Sequence, residues 1–266
     1  MTPTVRPFYS PGGINVETYD VRTESQPGEI DFWIARTRAS GGPVLEVASG
    51  TGRVSWPIAR AGIEIVGIDL GLGMLEQAER KRQHETPEVA NRARFVRGDM
   101  TDFQLDRQFA LAIIPFRAFL MLMTIEQQRA ALGCIRNHLR PGGQLIINIF
   151  DPRLDRLVDE RAAIRTEMEG QRHPVTGNLV SASVLERSVD LVRQQMRERW
   201  RFQEKTSDGK LEREEDELLE LRWIYRYEMR HLLTLCDFVV EDELSDYFGA
   251  PPAYGREQIW IARRED

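Results

Sequence analysis

From Val44 to Phe150, short strand-like runs alternate with stretches whose apolar residues recur at helical spacing. Val44–Val47, Glu64–Ile68, Arg94–Arg97, Phe109–Ile114 and Gln144–Phe150 are the predicted strands. Helices are predicted over Glu29–Ala39, stopping at Gly41-Gly42-Pro43, and over Val54–Arg60, Gly71–Gln83 and Ile125–Leu139. Pro141-Gly142-Gly143 reads as the turn into Gln144–Phe150. Strands that are apolar on both faces and alternate with helices indicate a parallel sheet covered on both sides. A helix over Leu221–Leu235 and strands at Val239–Leu244 and Gln258–Ala262 complete this α/β pattern.

Residues 152–220 break the rhythm. Apolar positions there alternate with a period of two, as in Val180, Ala182, Val184 and in Met196, Trp200, Phe202. Ser207-Asp208-Gly209-Lys210 is a hairpin turn signal. With Asp208 and Gly209 at its centre, Lys205 faces Glu212, Glu204 faces Arg213, Arg201 faces Asp216 and Arg197 faces Glu220. Each such opposite-charge pair contributes about 0.2–1 kcal/mol, which favours a hairpin over a solvated helix for the acidic run Glu212–Glu220. Before Glu29, the spacing of Pro3, Pro7, Pro11, Gly12, Gly13, Pro27 and Gly28 predicts an irregular arm, yet one holding Phe8, Tyr9 and Tyr19.

Composition narrows the class. The chain has 266 residues, 41% of them hydrophobic, with no run near the ~20 apolar residues of a membrane span. The opening MTPTVRPFYS lacks a basic-then-apolar leader, so a cytoplasmic location is expected, with no membrane partner. Cys134 and Cys236 have neither zinc spacing nor an even-numbered secretory framework. A net charge of −6 opposes nucleic acid as a partner, because such binding rests on a basic surface. No metal is implied, since His84, His138, His173 and His231 share no ligand spacing.

The chemistry concentrates at Val44-Leu45-Glu46-Val47-Ala48-Ser49-Gly50-Thr51-Gly52-Arg53, a strand, a tight glycine turn and a helix start. Glycines let a ligand approach the backbone, and a helix N-terminus favours a carboxylate or phosphate. Asp69, 19 residues after Gly50, ends the next strand, where a carboxylate can accept from both ribose hydroxyls. A dinucleotide fingerprint needs Gly or Ala where this chain has Ser55, and no Tyr is followed four residues later by Lys. A nicotinamide oxidoreductase and a non-catalytic cofactor-binding protein are the competing classes.

The segment resembles motif I of the class I S-adenosylmethionine-dependent methyltransferases, close to E/D-x-x-x-G-x-G. Gly67-Ile68-Asp69-Leu70 with Met74-Leu75, then Arg97-Gly98-Asp99-Met100, then Leu139-Arg140-Pro141-Gly142-Gly143-Gln144-Leu145 follow in the family's order over residues 42–151. The resemblance implies a doubly wound, seven-stranded, mainly parallel sheet with an antiparallel last strand. Three parts are then expected: an N-terminal arm and helix (1–40), a cofactor-binding domain (41–151 and 221–266) and an antiparallel β-rich lid (152–220). S-adenosylmethionine is the implied cofactor. Glu46, Ala48, Ser49, Gly50, Thr51 and Gly52 would lie under its methionine part, and Asp69 would hold its ribose. Leu70, Met74, Asp99 and Met100 would surround the adenine, with Asp99 accepting its amino group. Core packing is the alternative reading of Met74 and Met100.

The acceptor is then expected beyond the end of Phe109–Ile114, the crevice of such sheets. Ile114 and Pro115 border the cofactor there, while Phe116, Arg117 and Phe119 are candidate acceptor residues, with core packing the alternative for the two phenylalanines. Arg117 would pair with an anionic group, or else form a structural ion pair. The family's base-amino methylases place Asp or Asn before Pro-Pro-Tyr/Phe at this position, and this chain does not. Small-molecule members use tyrosines of an N-terminal arm, which makes Tyr9 and Tyr19 candidates for holding an amine. A small-molecule acceptor follows, with N-methylation favoured and O-methylation, through His173 or His231 as base, the alternative. Self-association of the chain is left open.

Overall fold

The computed structural model describes residues 5–23, 25–157 and 164–265. Its strands among these residues are β1 (Arg6–Pro7), β2 (Val44–Val47), β3 (Ile65–Asp69), β4 (Ala93–Arg97), β5 (Phe109–Ile114), β6 (Leu139–Phe150), β7 (Arg165–Arg172), β8 (Leu179–Asp190), β9 (Gln195–Lys205), β10 (Leu211–Arg222), β11 (Phe238–Leu244) and β12 (Glu257–Arg264). They form two sheets, and the chain divides into two compact units, Met1–Glu24 with Arg153–Arg222 and Ser25–Pro152 with Trp223–Asp266. The helix Glu29–Ser40 therefore belongs with the second unit, whereas the aromatic segment before it belongs with the β-rich insert.

In the larger unit the order is β11-β12-β6-β5-β2-β3-β4. Strands β6, β5, β2, β3 and β4 are mutually parallel, and β12 runs antiparallel to both β6 and β11. Burial on both faces explains the unbroken apolar run of β5, every residue of which is buried. Phe32 and Trp33 from helix Glu29–Ser40 pack with Trp56, Val44, Ile65, Leu111 and Ile261 in one core. The helix Ile125–His138 begins with a capping box formed by Thr124 and Gln127.

Two boundaries differ from expectation. Pro141-Gly142-Gly143 is not a turn before β6 but a bulge within it, for pairing steps from Phe109↔Leu139 directly to Leu111↔Gln144. Leu221 and Arg222 end strand β10, and the helix begins only at Arg226. Cross-strand pairing to Met196 and Gln195 wins over local helical spacing there.

The smaller unit is a five-stranded sheet, β1-β10-β9-β8-β7, antiparallel except for the β1–β10 pair. Glu204↔Arg213, Arg201↔Asp216 and Arg197↔Glu220 pair as the charges require. Lys205 instead faces Leu211, because a bulge between Leu211 and Arg213 ejects Glu212 from the ladder. Glu212 takes Lys210 as its partner, Nζ to Oε1 at 2.7 Å. On one face Val180, Ala182, Val184, Trp200 and Phe202 form a small core with Ile14. The expected irregular arm carries two short helices, Ile14–Glu17 and Tyr19–Arg22. No helix among the described residues is long and apolar enough to cross a membrane.

Gly67 in β3 passes against the glycine loop. A Cβ there would lie 2.7 Å from Ser49 Cβ and 2.9 Å from the Phe95 ring. Gly67→Ala is therefore expected to cost about 1–3 kcal/mol through overpacking, read as a lower urea midpoint with an unchanged slope.

Candidate active site

The candidate cofactor residues stand at or just beyond the carboxyl ends of β2, β3, β4 and β5. After Val47 the chain turns through Ala48, Gly50 and Gly52, with φ of 58°, 55° and 72°. The left-handed conformation suits glycine and strains Ala48, and such strain collects where a loop must meet a ligand. Asp69 holds this loop in shape. Its Oδ2 accepts from Gly50 N–H and its Oδ1 from Gly71 N–H, each at 2.7 Å. Burial pushes the Asp69 carboxyl upward, opposed by those two hydrogen bonds. Each oxygen keeps lone-pair capacity for one further donor.

Ser49 is buried, and its Oγ has no hydrogen-bond partner among the described residues. Thr51 is also buried, and its Oγ1 accepts from Lys81 Nζ at 3.1 Å. Leu70 is exposed, whereas Met74 is buried beside Gly50. Asp99 is exposed, its Oδ1 accepting from Thr101 N–H at 2.8 Å and from the Thr101 hydroxyl at 2.7 Å. Met100 is half-buried.

Glu46 lies wholly inside, and its Oε2 accepts from Ser55 Oγ. Burial pushes its carboxyl up to about 8, against the Ser55 hydrogen bond and the charge of Arg53, with Asp69 and Glu29 adding to the rise. Ser55 thus replaces the small residue of a dinucleotide fingerprint for a reason, as partner to a buried acid.

Ile114 is fully buried at the end of β5. Phe116 and Arg117 follow Pro115 with φ of 54° and 66°, two consecutive left-handed residues. Arg117 is taken up by Glu257 in an ion pair, with Nε to Oε2 at 3.3 Å. Glu257 also accepts from Asn148 Nδ2 at 2.9 Å and Gln26 Nε2 at 3.1 Å. Phe119 is fully buried as core, while Phe116 is half-buried with the Arg53 guanidinium 4.7 Å from its ring centroid. Arg53 makes a two-pronged ion pair with the buried Glu29, both contacts at 2.8 Å. Arg53, Glu29, Glu257 and Asn148 were not singled out by sequence reasoning. Only the place of Arg53 directly after Gly52 offered a signal.

The tyrosines lie in the smaller unit. Tyr9 and Tyr19 rings are 5.7 Å apart, Phe8 stands 4.6 Å from Tyr9, and Tyr19 is buried. Glu217 Oε2 accepts from Tyr9 N–H at 3.0 Å. Of the candidate bases, His173 is buried; its Nε2 lies 3.1 Å from Glu17, and its Nδ1 accepts from Val175 and Thr176 N–H. His231 is exposed.

This sheet order, with a glycine turn after β2 and a carboxylate ending β3, defines the class I methyltransferase fold. Residues 44–143 match the family described as a methyltransferase domain. It is 31% identical over 140 residues to a cypemycin N-terminal methyltransferase of a Streptomyces species, covering 52% of this chain and 55% of that protein. It is 34% identical over 111 residues to a demethylmenaquinone methyltransferase of Renibacterium salmoninarum, covering 41% of this chain and 42% of the relative. The chain thus spans about half the length of these relatives. Among solved structures, the sugar N-methyltransferase KedS8 of a Streptoalloteichus species has a TM-score of 0.74 at 19% identity, covering 96% of this chain and 94% of that one. That likeness speaks for the fold.

Glu46 sets a pH dependence. The folded chain holds a proton that the unfolded chain releases between 4.5 and about 8. Stability from this group is complete below about pH 4.5 and is lost as pH rises through about 8. Calorimetry of wild type against Glu46→Gln is expected to show a smaller fall in Tm over that window in the variant. Parallel curves would contradict the buried, protonated acid.

Proposed function

We propose that the chain is an S-adenosylmethionine-dependent methyltransferase that methylates an amine of a small molecule. The observation that carries this is the Asp69 carboxylate, which locks the glycine loop through Gly50 N–H and retains acceptor capacity on both oxygens. The residues suit that cofactor. Asp69 would take the ribose hydroxyls, and the exposed Asp99 the adenine amino group. The backbone of Gly50–Gly52 and the Ser49 hydroxyl, without a partner among the described residues, would serve the methionine part. Leu70, Met74 and Met100 supply apolar contact for the ring. When bound, S-adenosylmethionine supplies a methyl group already activated on a sulfonium. The chain's task is then to align the acceptor and keep water away, rather than to provide strong acid or base catalysis.

An amine is favoured on two grounds. One relative acts on an N-terminus, and the similar fold of KedS8 serves a sugar N-methyltransferase. His173 has its ring nitrogens committed to Glu17 and two backbone N–H groups, a poor start for a base. Phe116 and the arm tyrosines Tyr9 and Tyr19 are assigned to acceptor recognition, Ile114 and Pro115 to the cofactor, and the cytoplasm to the site of action, as parts of this proposal. The demethylmenaquinone methyltransferase relative supports a second acceptor reading, a demethylmenaquinone-type substrate.

Titration calorimetry with S-adenosylhomocysteine and with NAD tests the cofactor. S-adenosylhomocysteine is expected to bind and NAD not to; the reverse would restore the oxidoreductase reading. Asp69→Ala is expected to weaken S-adenosylhomocysteine by about tenfold or more, since hydrogen bonds to a charged group contribute ~1.5–3 kcal/mol. Product detection with matched amines, alcohols and a demethylmenaquinone then separates the acceptor classes.

A further inference from the structure

Arg53 stands at the end of the glycine loop. It directly follows Gly52, whose φ of 72° ends the glycine loop, and its side chain is only 11% exposed. Glu29, whose side chain is fully buried, meets it with both carboxylate oxygens. The guanidinium also lies 4.7 Å from the centroid of the Phe116 ring. Phe116 is the first of the two left-handed residues after β5, and Arg117 N–H donates to Asn148 C=O at 3.0 Å. One planar cation thus touches the start of helix Glu29–Ser40, the cofactor loop and the turn on the acceptor side.

We propose that Arg53 is a positioning residue, coupling the glycine loop to the Phe116–Arg117 turn so that the cofactor and acceptor loops keep one spacing. The proposal rests on the methyltransferase reading given above. In-line transfer tolerates little misplacement, and two loops borne on different strands need a rigid tie between them. Two-pronged pairing and stacking over a ring are properties of a guanidinium that an ammonium lacks. Left-handed conformations at Phe116 and Arg117 persist only where neighbours over-determine them, and the Arg53 contact is one such constraint.

Hydrogen exchange and calorimetry on the full chain test this with Arg53→Lys. Exchange at the amides of Arg117 and Leu120 is expected to quicken by about tenfold as the turn loosens. The Kd for S-adenosylhomocysteine is expected to rise by roughly threefold to tenfold. Arg107→Lys, which alters an exposed ion pair with Glu64, is expected to change neither. Should Arg53→Lys fail to fold, Phe116→Leu removes the ring alone and is expected to show the same two effects, with Phe116→Tyr restoring both. Folded variants whose Arg117 exchange and Kd stay within about twofold of wild type would overturn the coupling. If wild type does not bind S-adenosylhomocysteine, the cofactor reading fails, while the exchange measurement still decides whether Arg53 holds the turn.

Discussion

The cofactor end of the larger unit depends on one carboxylate. Asp69 accepts from Gly50 N–H and Gly71 N–H, and so ties the turn after β2 to the turn after β3. These are loop donors that no strand ladder satisfies, and a buried N–H without an acceptor is costly. A carboxylate is suited to the place because it accepts several hydrogen bonds at once. The glycine loop is consequently shaped before any ligand arrives, and less ordering remains to be done on binding.

Around this anchor the interior holds several acids. Glu46, Glu29 and Glu257 are all buried, each with an identified donor: Ser55, Arg53 and Arg117. Buried ion pairs contribute little net stability against apolar packing, but removing one partner is severe. Their effect is geometric. The Glu29–Arg53 pair joins helix Glu29–Ser40 to the glycine loop, and the Arg117–Glu257 pair joins the turn after β5 to the start of β12. The smaller unit uses charge differently. There Arg199 and Arg201 converge on Asp216 across the β9–β10 ladder, so long side chains define register along a face with few apolar residues.

The alternation of strands and helices, the seven strands of the main sheet and the hairpin at Ser207–Lys210 were legible because each is written locally. Apolar period, turn residues and cross-strand charge act over a few neighbours. The structure departs from these patterns where local signals compete. The Pro141-Gly142-Gly143 segment has turn chemistry, yet Leu139 finds a partner in Phe109 and the segment becomes a bulge. Leu221 and Arg222 fit a helical period, yet β9 offers them ladder partners. Lys205 and Glu212 obey the charge register, but the ladder absorbs an extra residue between them.

By itself, then, the sequence determined the order of elements, the glycine loop and the acid that ends β3, because these follow from spacing along one chain. Tertiary structure decided what the charges and aromatics do. Arg117 meets Glu257, which is 140 residues away, and Arg53 meets Glu29. Phe119 is core while Phe116 is half-buried beside a guanidinium. His173 is tied to Glu17, 156 residues distant. A side chain's polarity states what it can bind, but which partner reaches it depends on how strands far apart in sequence are laid side by side. That choice is made by the burial of the whole core, which local spacing does not record.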